Sequence, residues 1–357
     1  MRKEGLLLGT FIIILSMLLS GCLKGEQTQE PIDVPEEVTI IDEEESEGTI
    51  SESEEEKEDI EVTESEETVL RELYLIDSSG MVVPQTFELP KTESAAKQAL
   101  EYLVKDGPIS EILPNGFQAV LPAGTEIIGV NLQDDGTLIV DLSEDFKNYE
   151  ADRELQILQA MTYTLTQFDS VERIKIWING EPLEEMPVKG TPISEGYSKN
   201  NGINIFVKDK PNLQHSEVVT IYYPKRYNEE YYYVPVTEYI NVKGNDLYSS
   251  IVQTLLDGPA YELNAVDVFN DTTYLENKPF LKDGVLQLIF NEDILKDPEN
   301  NIIADEVVET LVRTLTAEEE VEAVDIKVKD KAVIMNEEGV AYDKPVTAND
   351  IMHSEKM

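Results

Sequence analysis

From about residue 73 onward the apolar positions recur with periods of two and of about 3.6, and the same order of periods is met twice. Ala96, Leu100 and Val104 fall at i, i+4 and i+8, one stripe of a helix, and Leu247, Ile251 and Leu255 repeat it. Leu138, Val140 and Leu142 alternate as one face of a strand, matched by Leu286, Leu288 and Phe290. A second helical stripe of Leu158, Met161 and Leu165 recurs as Val308, Leu311 and Leu315, and a last alternation of Ile174, Ile176 and Ile178 as Val324, Ile326 and Val328. Turn signals keep the same spacing. Asp106-Gly107-Pro108 returns as Asp257-Gly258-Pro259, Asp135-Gly136-Thr137-Leu138 as Asp283-Gly284-Val285-Leu286, and Val171-Glu172 as Val321-Glu322, at offsets of 151, 148 and 150. Core positions are kept while the polar residues between them differ, as in two diverged copies of one domain.

Each copy is predicted as strand, strand, helix, loop, strand, strand, helix, strand. In the first, Leu73–Ile76 and Val82–Leu89 flank a turn at Asp77-Ser78-Ser79-Gly80, and a helix runs from near Thr92, a candidate cap, to Gly107-Pro108. Asp134-Asp135-Gly136 is a hairpin signal. Hairpins in place of crossovers predict an α+β class, each copy a short mixed or antiparallel sheet with two helices on one face. The predicted boundaries are 71–190 and 215–350, joined by a linker over 191–214. The join carries Ile193, Tyr197, Ile203, Ile205, Phe206 and Val207, with a short strand at Ile203–Val207, so the copies are expected to dock as one unit.

The N-terminal fifth reads differently. Arg2 and Lys3 precede an apolar run from Leu6 to Leu19, then Ser20, Gly21 and Cys22. The run is too short to favour a spanning helix, which needs about 20 residues. Leu19-Ser20-Gly21-Cys22 resembles a bacterial lipobox, so residues 1–22 are expected to be a signal peptide, with Cys22 the lipid attachment site and the rest outside the cytoplasmic membrane. Residues 23–70 hold 20 Asp/Glu against Lys24 and Lys57 and show no period that could face a core, which predicts a disordered acidic tether. The net charge of −45 argues against nucleic acid as a partner. A single Cys excludes an internal disulfide and a Cys-based metal site.

The segments that carry a family likeness are Ala95–Leu103 leading to Asp106-Gly107-Pro108, Asp135–Ser143, the Leu155–Leu165 helix and Val171–Gly180. The second set is Leu247–Pro259, Lys282–Leu286 and Asn291-Glu292-Asp293. In this order they resemble the GerMN domain of sporulation and germination lipoproteins. The second copy departs where Ile176-Trp177-Ile178-Asn179-Gly180 becomes Ile326-Lys327-Val328-Lys329-Asp330. The resemblance implies a fold similar to the ring-building domains of secretion systems. It also implies an extracytoplasmic sporulation protein acting between mother-cell and forespore membranes, with protein partners in a ring-forming channel complex and a possible homo-oligomeric ring.

Catalytic constellations are not apparent. Pro192-Ile193-Ser194-Glu195-Gly196 lacks the first glycine of a nucleophile elbow. Asp297, Glu299 and Asn301 open like a calcium loop, but Ile302 replaces its glycine and Val308 its closing Glu. Asp141, Glu144 and Asp145 read as solvated acids beside a turn that Ser143 caps, and His215 and His353 as surface residues. The chain is therefore expected to be non-enzymatic, with no metal and no cofactor. Two candidate protein-binding sites remain. Trp177 shares a strand face with Arg173 and Lys175, opposite Ile174, Ile176 and Ile178, and a helix packed over it is the competing reading. Tyr222 and Tyr232, with Tyr223, Tyr231 and Tyr233, lie on two facing strands, where cross-strand aromatic pairs, a partner surface or a glycan-stacking face would each account for them. An assembly protein is the leading function class, a cell-wall binding lipoprotein the second, and a cation-dependent enzyme the third.

Overall fold

The computed structural model describes residues 67–168, 170–207, 216–242, 244 and 246–352. Cys22, residues 23–66, His215 and His353 lie outside the described residues. Residues 63–357 form one compact unit that contains both copies.

The first copy opens on a hairpin of β1 (Thr68–Asp77) and β2 (Val82–Pro90), followed by α1 (Ala95–Glu101) and β3 (Phe117–Gln118), which lies against β1. The hairpin starts at Thr68, so the predicted tether ends before residue 70: Thr68 pairs with Pro90 and Leu70 with Glu88. Ser94, not Thr92, is the residue before α1; the Thr92 hydroxyl instead accepts from the Ser94 N–H. A second sheet follows, in the order β4 (Ile127–Leu132), β5 (Thr137–Leu142), β6 (Arg173–Ile178), β7 (Glu181–Pro182), with α2 (Glu154–Leu165) between β5 and β6.

Strands β5 and β6 are parallel, Leu138 beside Ile174 and Leu142 beside Ile178. The chain must return to the same end of the sheet between them, and α2 makes that crossover. Hairpins alone therefore do not build the copy. The Asp134-Asp135-Gly136 turn does join β4 to β5 as expected, with Gly136 at φ +76°. Residues predicted as linker also belong to this sheet, because β8 (Tyr197–Ser198) pairs with β6 and buries Tyr197 and Ile193.

The second copy repeats the plan. Strands β9 (Ser216–Tyr227) and β10 (Glu230–Asn241) form a longer hairpin, α3 (Leu247–Leu256) follows, and a second sheet runs β11 (Phe280–Lys282), β12 (Val285–Phe290), β13 (Ala323–Val328), β14 (Val346–Thr347). Helix α4 (Asp305–Leu315) crosses between the parallel pair β12 and β13. The inward stripes are those of the sequence: Leu286, Leu288 and Phe290 meet Val324, Ile326 and Val328 with Leu311 and Leu315, all buried. Buried apolar side chains of both copies join in one contiguous cluster.

Candidate functional site

Alternation along β6 turns Ile174, Ile176 and Ile178 into the core and leaves Arg173 exposed and Lys175 and Trp177 half-buried on the outer face. Register extends that face. Lys175 lies beside Ile139 and Trp177 beside Asp141 on β5, with Asn131 and Gly129 next on β4 and Pro182 on the other side of Trp177. A side chain at Gly129 would meet nothing within 4 Å, so the face beside Asp141 is open. The Asp141 carboxylate accepts from the Gly180 N–H at 3.0 Å, and Arg173 pairs with its neighbour Glu172 at 3.9 Å. Among the described residues no carboxylate pairs with Lys175.

The same positions of the second copy are closed by their own groups. Lys327 pairs with Asp325 at 2.9 Å, Gln287 donates to the same carboxylate at 2.8 Å, and Lys329 pairs with Glu276 at 3.1 Å. Arg173, Lys175 and Trp177 thus do share one face, as the alternation predicted, and that face is open beside Asp141.

The tyrosines do not form one. Register places Tyr222 opposite Pro235, Tyr223 opposite Val234, Tyr232 opposite Lys225 and Tyr233 opposite Pro224, so they are not cross-strand partners of one another. Tyr222 and Tyr232 are turned toward the first copy. The Tyr222 hydroxyl meets that of Tyr74, and the Tyr232 hydroxyl donates to Asp77 Oδ2 at 3.1 Å while its ring packs edge-on to Phe117 at 5.2 Å. Burial pushes the phenols of Tyr222 and Tyr232 up. A surface that already holds a neighbouring copy is not free for another partner.

Three further polar groups were not singled out from the sequence, the first two of them at this junction. Lys225 Nζ lies 3.3 Å from Asp77 Oδ2 and 2.8 Å from Ser79 Oγ, with both charged side chains buried. Asn204, in the join at φ +46°, donates through Nδ2 to the Val82 and Pro235 carbonyls at 2.7 and 2.8 Å and accepts from the Val82 N–H. It therefore bridges β2 and β10. Ile203–Val207 is no strand: Ile203 is fully buried and Phe206 partly, while Ile205 and Val207 are 54% exposed. Four of the six apolar residues expected to hold the copies together act elsewhere (Ile193 and Tyr197) or face solvent (Ile205 and Val207), and Asn204 bridges the copies in their place.

The third group is Glu154, fully buried at the start of α2. Its carboxylate accepts from the Tyr149 hydroxyl, the Val188, Lys189 and Thr191 N–H groups and the Thr191 hydroxyl, at 2.6–3.2 Å. Burial alone would raise its pKa; the hydrogen bonds from Thr191, Lys189 and Tyr149 outweigh it and hold the carboxyl below its usual value. Its work is structural, fixing residues 186–191. The calcium-loop likeness is a turn, Asp297 Oδ1 accepting from the Glu299 and Asn300 N–H groups at 3.0 and 3.2 Å. Ser143 does not cap; its hydroxyl accepts from the Glu126 N–H.

The family profile Germane, described as sporulation and spore germination, matches residues 72–184 and 220–334, once over each copy. The chain belongs to the Germane family. It is 41% identical to the spore germination protein GerM of Bacillus subtilis (strain 168), over 97% of both chains. The solved tandem GerMN domains of that sporulation protein share 45% identity and superimpose with a TM-score of 0.72, over 79% of this chain and 97% of theirs. The solved first GerMN domain is 60% identical over 37% of this chain and 99% of its own length, with a TM-score of 0.36. Each Germane copy here thus has a hairpin turned to the other copy and a crossover sheet whose outer face is open in the first copy and self-paired in the second. No helix among the described residues is long and apolar enough to cross a membrane.

Proposed function

We propose that this Germane protein is a lipid-anchored, extracytoplasmic scaffold needed for spore formation and germination, and that it works by holding another protein, without catalysis. The relation to GerM over 97% of both chains carries the sporulation part of this reading. The pattern Leu19-Ser20-Gly21-Cys22 supports the anchor, with the chain exported and tethered through Cys22. The binding face we assign is Trp177, Lys175 and Arg173 with Ile139 beside them: an aromatic and aliphatic centre with a cationic rim, on a protein of net charge −45. Such a face suits an apolar residue flanked by carboxylates on the partner, because aromatic and Arg anchors in a desolvated centre contribute most of the affinity at interfaces. Of the tyrosines that suggested a glycan-stacking face, Tyr222 and Tyr232 are engaged between the copies and Tyr223 and Tyr233 within the second, so the cell-wall reading loses its motive.

Two measurements test this. Trp177→Ser with Lys175→Glu should leave the folded protein at normal abundance and reduce heat-resistant spores at least tenfold; wild-type spore counts would overturn the face. Fatty-acid labelling should mark the wild type and not Cys22→Ala, and label in the variant would overturn the anchor.

A further inference from the structure

The contacts between the two copies recur with the repeat's own offset. Tyr74 and Tyr222 are equivalent positions, 148 residues apart, and meet each other. Each receives the same support from its own copy: the Tyr74 N–H donates to Thr164 Oγ1 at 2.9 Å, and the Tyr222 N–H to Thr314 Oγ1 at 3.0 Å. Both face a proline across the hairpin, Pro84 and Pro235. On one side Arg313 of α4 reaches Glu72 of β1 at 3.3 Å. The equivalent pair on the other side, Tyr163 of α2 and Thr220 of β9, also meets. Residue i of one copy touches j of the other, and j touches i, which is the pattern of a self-complementary, isologous contact. An ancestral domain with such a face could pair with any copy of itself.

The present sequence breaks that equivalence in charge. Asp77 and Lys225 also occupy equivalent positions, 148 apart, and they face each other, both buried. We infer that the opposite charges at this one repeat position make the hairpin face heterotypic: it accepts the other copy and rejects its own kind. Two first copies would bring Asp77 against Asp77 in a site closed by Tyr232, Phe117 and Ser79, and two second copies would bring Lys225 against Lys225. Taking like charges out of water without a counter-charge is strongly unfavourable, so repulsion enforces the pairing that attraction alone would leave degenerate. The neighbouring pair works in the same sense. Glu72 finds a guanidinium only on α4, because α2 presents Tyr163 at the position of Arg313. The consequence is a tandem that closes on itself and does not exchange copies between molecules, leaving any larger assembly to other surfaces.

The variant Lys225→Asp reproduces the like-with-like combination inside one chain. Full-length protein with Cys22→Ser, spin-labelled at Ile128→Cys and Tyr261→Cys, two exposed positions in different copies, should give one narrow label-to-label distance. Lys225→Asp should broaden it and shift it outward. Adding Asp77→Asn should bring the narrow distance back, since an Asn side chain still accepts from the Ser79 and Met81 N–H groups that Asp77 now binds and offers an N–H to the new carboxylate. A Lys225→Asp chain that keeps the narrow distance would overturn the inference. So would an opened chain that Asp77→Asn fails to close, because the loss would then be one of folding and not of charge.

Discussion

After the second helix of each copy the chain must lead a loop back to the sheet, and the two copies do this by different means. In the first, residues 186–191 hang on the buried Glu154 carboxylate. In the second, the equivalent position is Ala304, and the loop is held by backbone: the Ile303 N–H donates to the Met335 carbonyl at 2.9 Å, and the Met335 N–H to the Asn301 carbonyl at 2.9 Å. A carboxylate hub depends on protonation, whereas backbone bonds do not. The copies therefore share a frame and differ in what can unfasten it.

The largest effect is expected at that hub. Replacing Glu154 by Gln leaves the site with a donor where five donors converge, and should destabilise the first copy by about 2–4 kcal/mol. The fluorescence of Trp177, the chain's one tryptophan and a resident of the first copy, should report it in urea unfolding. The sign with pH follows from the lowered carboxyl. Its contribution is complete above the unfolded value of about 4.3 and disappears as pH falls through the lower folded one. Wild type and Glu154→Gln should differ fully at pH 7 and converge in acid, as the pH falls below the unfolded value and through the lowered folded one. A gap that persists there would mean that the carboxylate's charge is not what holds the loop.

A second break concerns the tip of the longer hairpin. Gly116 of the first copy sits at φ +88°, and a methyl group there would lie 2.7 Å from the ring of Tyr227, which also packs against Phe117. Gly116→Ala should cost about 2–3 kcal/mol, from the left-handed backbone and from the displaced ring. Adding Tyr227→Ala should recover the steric share only, measured by thermal unfolding. By contrast, Gly136→Ala and Gly284→Ala test a feature both copies share. Each glycine stands at φ +76° with a Glu side chain, Glu172 or Glu322, at 2.8 Å, and each substitution should cost about 1–2 kcal/mol, equally in the two copies.

That shared feature was legible from the sequence, and so were the order of elements and the inward stripes, because period and turn chemistry are local. The parallel pairing of β5 with β6 was not, since alternation tells which face a residue occupies and not which strand lies beside it. The Trp177 face could be read from alternation, but its openness could not, because that depends on what the rest of the chain places over it. Tyr222 and Tyr232 were misjudged for the same reason. Asp77, Lys225, Glu154 and Asn204 look like surface residues in a string of letters; only the fold buries the first three and sets Asn204 among its partners. One signal was available for the first two. Aligning the copies at an offset of 148 matches Tyr74 with Tyr222 and, three residues on, sets an aspartate over a lysine.

The smallest effect should separate the two outer faces. Lys327 is paired with Asp325 at 2.9 Å, its side chain 53% exposed, and an exposed pair of this kind contributes about 0.2–1 kcal/mol. Lys175 has no such partner among the described residues, so Lys175→Ala should change stability by less than about 0.3 kcal/mol, and Lys327→Ala by slightly more. Sporulation should rank them the other way. A lysine kept half-buried beside Trp177 and Ile139, with no carboxylate paired to it among the described residues, contributes little to the folded chain, and its loss should lower spore yield where the loss of Lys327 does not. Parallel unfolding curves and spore counts for the two variants decide the matter. Equal spore counts would leave the first copy's face as inert as the second's, and the division of labour between the copies would have to rest on the junction alone.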